Sequence, residues 1–478
     1  EWFQKVIALK GAETAEAAHW ASRIQLSAKQ FDAVLEMTSV ALPLAAGSSF
    51  LPELLVDRGD ALLDKGDKPE ALKHYLQVVD NHADSPIAPQ ALYNATFTLL
   101  DLKQQDAAVA RATTFQNKFK NHVLLPDVLY LLGEAHVQRD KLPEAETTFR
   151  QLLENHAGHP QFSSWQLRLG EILHFQKKYD ETVTFVAGIL DKLEGPEDQG
   201  QGHFMVGSAH FFKERFAEAT TSLAASLEAA PKGEQADEAL LYLARSQHMQ
   251  KKLADARATL ERLLGDFPEG RHKGQAHYRL GEVLDAEKKP AEAVKQYDLL
   301  LTSSPKSPYV PYAMYNKGYD LLGLDDVDAA AAIFAELVKQ FPDHEIKKVA
   351  LIAQADTGYR RGRGQLDDKK FEEAIASFKS LYDAYPDFPR RDAVLYDLGW
   401  AYLGAGKQAA AVEAFVGITK DYKESTFVAD AYYRIGEDQY ANSKFGEALA
   451  SYALALESKP AAEIHEAILH KTGWAHYK

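Results

Sequence analysis

Several short stretches carry residue types that do chemistry in other proteins, and the chemistry each would need can be set against its spacing. His465-Glu466-Ala467-Ile468-Leu469-His470 has the residue types of a helical zinc site with a glutamate base. Such a site needs its two histidines four residues apart on one helix face, and these are five apart. His156 and His159 flank a turn, with no third ligand in sight. Gly404-Ala405-Gly406-Lys407 would cradle a phosphate only with a glycine at Ala401 and a Ser or Thr at Gln408 to hold Mg²⁺. Asp325, Asp326 and Asp328 lack the glycine and distal glutamate of a calcium loop, and read as a turn that caps a helix. Gly195, Gly200 and Gly202 fall in a linker with no strand before it, so they are no dinucleotide fingerprint. Asn94-Ala95-Thr96 is a formal glycosylation sequon placed in the middle of a helix. The chain has no cysteine, which removes disulfide scaffolds, thiolate metal sites and a thiol nucleophile. No catalytic residue, cofactor site or metal site emerges, and the expectation is a protein that is not an enzyme.

What remains is the framework that holds these residues. The 478 residues are 46% hydrophobic and 26% charged, as in a folded chain with material for a long core. The net charge of −15 repels phosphate backbones and argues against nucleic acid as a partner. No apolar run reaches membrane-spanning length, so no transmembrane segment is expected.

The chain repeats every 37 residues. Gly59, Gly133, Gly170, Gly207, Gly281 and Gly318 stand on one ladder, with Thr96 and Ala244 filling its gaps, and Gly399, Gly436 and Gly473 keep the same spacing further on. Twelve residues past each rung comes a small residue, such as Ala71, Ala145, Ala293 or Ala411. Four further on comes an aromatic, such as Tyr75, Phe149, Tyr297 or Phe415, and a proline often follows, as at Pro231, Pro268 and Pro305. Small residues on facing helices let backbones approach, the aromatic fills the space between one hairpin and the next, and proline ends the helix. Each unit is therefore helix A, a polar turn, and helix B. Such a hairpin buries its apolar face only by stacking on its neighbours.

These offsets resemble the tetratricopeptide repeat (TPR), most clearly in Tyr130-Leu131-Leu132-Gly133-Glu134-Ala135-His136 followed by Pro143-Glu144-Ala145-Glu146-Thr147-Thr148-Phe149. The usual period is about 34 residues, and the extra residues fall after helix B, in linkers such as Asp266-Phe267-Pro268-Glu269-Gly270. That style is similar to the TPR subgroup of bacterial envelope proteins, the outer-membrane assembly lipoproteins and the Tol-Pal accessory protein. The resemblance implies an all-α right-handed TPR superhelix, a non-catalytic scaffold for protein–protein interaction, and a place in the bacterial periplasm or cell envelope. The alternatives are a cytoplasmic location, and a TPR region of a larger protein whose enzymatic or transport domain lies outside this segment.

The expected organisation is one continuous array. Residues 1–12 read as helix B of a preceding repeat, 13–461 as about twelve repeats, and 462–478 as helix A of an incomplete one. Neither end carries a polar cap, so Trp2, Phe3, Trp474 and Tyr477 are expected to offer uncovered faces for self-association. Within 356–372 seven residues are inserted, close to two helical turns, and the basic Gly358-Tyr359-Arg360-Arg361-Gly362-Arg363-Gly364 is expected at the tip of a protruding helical hairpin.

By resemblance to TPR proteins, the stripe three residues before and one and four after each rung lines a concave groove that holds peptides. It carries Tyr93, Tyr130, Phe204, Tyr278, Tyr315, Tyr396 and Tyr433 at the first position, and Glu134, Glu171, Glu282, Glu437 and Trp400 at the second. Rings and carboxylates suit other proteins or extended peptides with apolar and basic side chains. The same rings also fit a second reading, in which they pack between successive A helices. A chaperone-tail clamp is disfavoured, because the first position has no Lys and the second no Asn.

Overall fold

A computed structural model describes all 478 residues, which form helices and turns without a strand. They group into two units, Glu1–Gln250 and Lys251–Lys478. In the first, α1 (Trp2–Leu9) packs on α2 (Thr14–Ser27), which opens a run of antiparallel hairpins. These are α2 with α3 (Phe31–Ala41), α4 (Leu51–Asp64) with α5 (Lys68–Asn81), α6 (Ala88–Asp101) with α7 (Gln105–Lys118), and α8 (Leu125–Gln138) with α9 (Leu142–Asn155). Then come α10 (Phe162–Phe175) with α11 (Tyr179–Ala187), α12 (Pro196–Phe212) with α13 (Phe216–Ala229), and finally α14 (Ala236–Met249) against α13.

The second unit starts with α15 (Leu253–Asp266) against α16 (Lys273–Ala286). Its hairpins are α16 with α17 (Pro290–Ser303), α18 (Val310–Gly323) with α19 (Val327–Gln340), α20 (Lys347–Asp367) with α21 (Phe371–Ala384), α22 (Arg391–Gly404) with α23 (Gln408–Asp421), and α24 (Val428–Ala441) with α25 (Phe445–Glu457). Helix α26 (Ala462–Tyr477) packs on α25. The even-numbered helices are the A helices. The fold is an all-α solenoid of helix–turn–helix units.

The rungs explain the period. A Cβ added at Gly133 would stand 2.5 Å from Phe149, one at Gly281 2.3 Å from Tyr297, and one at Gly362 2.5 Å from Phe378. Each ring therefore sits flush on the glycine of its own hairpin, sixteen residues earlier, rather than between one hairpin and the next. Where the rung is Thr96, the residue sixteen later is Ala112, and both are fully buried. Bulk lost on one helix is matched by bulk gained on the other, as close packing requires.

The A–B turns follow one design. The residue seven past the rung is left-handed at Lys29, Gly66, Lys103, Asp140, Lys177, Glu214, Lys288, Asp325, Lys369, Gly406 and Ser443. The next amide then reaches back to the last turn of helix A, as in Gln104 N–H to Leu99 C=O at 2.8 Å, with Lys103 N–H to Leu100 C=O at 3.0 Å. This pair of bonds closes the helix end. Asp326 caps α19 by accepting from the Ala329 amide at 3.1 Å, the role its sequence position suggested. Cations from these turns also reach the first turn of the preceding B helix: Lys65 pairs with Asp32, Arg139 with Asp106 at 2.8 Å, Lys213 with Asp180 at 2.8 Å and Lys407 with Glu372 at 2.7 Å.

Two expectations are corrected. The insertion makes no protruding hairpin, because α20 is one unbroken helix of 21 residues facing an ordinary α21 of 14. Ala355, Tyr359 and Gly362 are all buried along it, so the Arg-Gly stretch lies within the helix, with one face packed and Arg360, Arg361 and Arg363 exposed on the other. Of the glycine trio, only Gly195 lies outside a helix. Gly200 and Gly202 belong to α12, where added Cβ atoms would meet Ala230 at 2.6 Å and Leu190 at 2.7 Å.

Candidate protein-interaction surface

The seven rings before the rungs all lie on A helices, but they are half-buried or buried. Tyr278 and Tyr433 are each 8% exposed. Tyr278 stacks on Tyr309 with centroids 5.1 Å apart, and Tyr396 on Phe427 at 4.4 Å. The Tyr396 hydroxyl donates to Asp430 at 2.6 Å, and burial followed by that bond pushes its pKa up to about 12. Tyr130 meets the Phe149 ring edge-on at 5.9 Å, Phe204 lies 6.3 Å from Tyr242, and Tyr315 lies 5.0 Å from Tyr319. Tyr93 packs against the buried clusters of α4 to α9. These rings pack against neighbouring helices or rings, and none of the seven is exposed.

The carboxylates of the stripe are already engaged. Arg168 on α10 donates to both oxygens of Glu134 at 2.7 and 2.8 Å and to Glu171 at 2.6 Å. Gln201 donates to the other Glu171 oxygen. Burial alone would lower the guanidinium pKa, but the two carboxylates outweigh it and hold it above its ordinary value. Arg279 donates to Glu282 at 2.6 Å. Lys471 and the Tyr452 hydroxyl each donate to Glu437 at 2.7 Å. Trp400 lies under the Arg434 guanidinium, 4.5 Å from the ring centroid. The stripe therefore supplies its own cations, all from the position two residues before the rung: Arg168, Arg279, Arg434 and Lys471. The same ladder that marked the acids marks these residues, and reading one stripe at a time passed over them.

Apolar exposure sits elsewhere on the A helices. Five residues past consecutive rungs stand Phe175, Phe212 and Met249, 55%, 43% and 61% exposed at the ends of α10, α12 and α14. Phe212 stacks on Tyr179 at 5.1 Å and lies 5.6 Å from Tyr242, so the exposed ring continues a floor of packed rings. Phe97 and Tyr319, one past their rungs, are also exposed.

Buried titratable groups serve packing. Asp57 accepts from or donates to His19 Nδ1 at 2.7 Å, while Asp60 accepts from the Tyr75 hydroxyl at 2.8 Å and from Asn94 at 2.9 Å. Burial raises both acids, Asp60 to about 6. Asn94, of the sequon, is thus committed inside the array. Glu146 on α9 binds Lys178 at 2.7 Å, Gln176 at 2.8 Å and Arg150 at 2.8 Å. Burial works against the charge there, but the three donors bring its pKa down to about 2. In the second unit Asp285 accepts from the Tyr297 hydroxyl at 2.7 Å and faces Asp320 of α18. Burial raises both acids, and their mutual contact raises Asp320 further. No three His, Asp or Glu side chains converge as a metal site would require, and no helix is long and apolar enough to cross a membrane.

A family model described as tetratricopeptide repeat matches residues 56–113, 130–191, 204–271, 253–308 and 359–425. A second tetratricopeptide-repeat model matches 312–344. Solved structures with similarity include a tetratricopeptide repeat protein from Parabacteroides merdae, at 17% identity over 57% of this chain and 98% of that one, TM-score 0.31. Another is the C-terminal part of a TPR repeat-containing protein from Cytophaga hutchinsonii, at 13% identity over 53% and 97%, TM-score 0.42. A third is YrrB, described as a TPR protein with an unusual peptide-binding site, at 17% identity over 42% and 96%, TM-score 0.35. No curated protein matches the chain.

Proposed function

Because the chain belongs to the tetratricopeptide-repeat family, whose repeats generally mediate protein–protein interaction, we propose that it is a non-catalytic scaffold that holds an extended segment of a partner protein along its A helices. The observation that carries this reading is the row Phe175, Phe212 and Met249, exposed at the same position of three consecutive A helices above a floor of rings. A row spaced by one repeat suits a partner that places apolar side chains at matching intervals. The carboxylates Glu134 and Glu171 are already paired with Arg168, so anchoring falls to apolar side chains, with basic residues of the partner secondary. The setting we propose is a bacterial envelope complex, on the strength of the 37-residue period and the linker style.

The test is selection of peptides from a displayed random library on the full chain, followed by fluorescence polarisation with the selected peptide. Phe175→Ala with Phe212→Ala should weaken binding by about 2–4 kcal/mol, the size expected of interface hot spots, while the melting temperature holds. Unchanged affinity in the double variant would refute the surface.

A further inference from the structure

The lengthened α20 changes the packing beside it. Phe378 of α21 seats on Gly362, so α21 pairs with the C-terminal part of α20. The end of α21 at Ala384 comes beside Ala355, and the first turns of α20 run on past it. The linker that follows folds back across this overhang, with Phe388 buried in the same cluster as Ala355. Between linker and helix lies a cavity of about 140 Å³, walled by Leu351, Ile352, Ala355, Tyr385 and Phe388. Lys348 and Asp387 are exposed at its rim.

We propose that this cavity is a binding site for one aromatic side chain of a partner protein. Its volume is close to the roughly 150 Å³ of an apolar cavity that takes up benzene and stays dry otherwise. Its lining is mostly apolar, so water has few partners inside. Tyr385 and Phe388 offer ring surfaces to an incoming ring, which favours an aromatic over an aliphatic occupant. Neither Lys348 nor Asp387 has an ion-pair partner. Their donor and acceptor match the carbonyl and amide of the peptide groups that flank an inserted residue. The site shares no residue with the Phe175–Met249 row, so either can fail without the other. It exists because of the insertion, since hairpins with A and B helices of equal length leave no overhang for a linker to roof.

The probe is N-acetyl-phenylalanine methylamide, with N-acetyl-alanine methylamide as control, titrated into the full chain and read by saturation-transfer NMR. The phenylalanine probe should bind saturably with a dissociation constant on the order of 1 mM, as suits a single small anchor. The alanine control should bind at least about 10-fold more weakly, since it fills little of the apolar space. Ala384→Trp places a ring over the cavity from an exposed position and should weaken the phenylalanine probe by about 10-fold or more with the melting temperature unchanged. Leu351→Phe, which fills the cavity from α20, serves the same purpose should the first variant lose its helical circular dichroism. Equal binding of the two probes, equal binding by wild type and filled variants, or no saturation would each overturn the assignment.

Discussion

Gly362 and Gly364 lie two residues apart on α20, and the same substitution should act on them in opposite directions. At Gly364 an added Cβ meets nothing within 4 Å. Gly364→Ala should therefore show only the gain of alanine over glycine in a helix interior, about 0.5–1 kcal/mol. At Gly362 the added Cβ would stand 2.5, 2.8 and 3.0 Å from three atoms of the fully buried Phe378 ring. A buried ring cannot move aside without disturbing its own neighbours, and overpacking of this kind costs about 1–3 kcal/mol. The propensity gain is the same at both sites, so Gly362→Ala should be less stable than Gly364→Ala by about 1–3 kcal/mol. Urea unfolding of each single variant, followed by far-ultraviolet circular dichroism, measures the difference. Adding Phe378→Leu should cost less in the Gly362→Ala background than in wild type, because the smaller side chain relieves the clash it also leaves unfilled. If Gly362→Ala raises the urea midpoint as much as Gly364→Ala does, the ring is not seated on the rung and the stated origin of the period is wrong.

Gly406 is left-handed at φ 73° with open space around it, so Gly406→Ala should destabilise through backbone strain alone, by about 1 kcal/mol, in contrast to Gly364→Ala. The Asp285–Asp320 pair keeps a proton up to about pH 8 in the folded chain, whereas an unfolded aspartate releases it near its ordinary 3.8. Stability from this pair is full below that ordinary value and is lost as pH rises through about 8. Asp320→Asn should flatten the fall in melting temperature between about pH 4 and about pH 8, and parallel curves would contradict the shared proton. Glu146 has the opposite sign: lowered from 4.5 to about 2, it stabilises above its ordinary value, and the contribution disappears as pH falls through about 2. Glu146→Gln should cost roughly 1–2 kcal/mol at neutral pH and remove this acid limb, as thermal melts across that range would show.

The hairpins were legible because the rung, the small residue and the ring are tied by direct contact. Even the departure at Thr96 is matched by the small Ala112 sixteen residues later, and both stay fully buried where the glycine is absent. The insertion was legible in length but not in form. Gly358, Gly362 and Gly364 each weaken a helix by about 1 kcal/mol, and their cluster reads as a break. Burial of Ala355, Tyr359 and Gly362 against two successive B helices outweighs that local preference, and only the packing of both neighbours reveals it. The ring-and-carboxylate stripe was legible as one face of the A helices, and its exposure was not. Whether Glu134 faces solvent depends on Arg168 one repeat away, and whether Tyr396 is free depends on Phe427 and Asp430. Phe175 and Phe212 carried the same ladder signal at a different offset.

The unbroken α20 also acts as a dislocation in the second unit. Seven residues advance a helix by about 10 Å and turn it to within about 20° of its starting face. Hairpins before and after it stay in contact through one rigid rod, but their ladders are offset along the helix direction by that step. A partner that reads one residue per repeat would keep phase up to α18 and lose it at α22. The second unit therefore holds two ladder frames, and under the proposed function a single evenly spaced segment could follow only one of them.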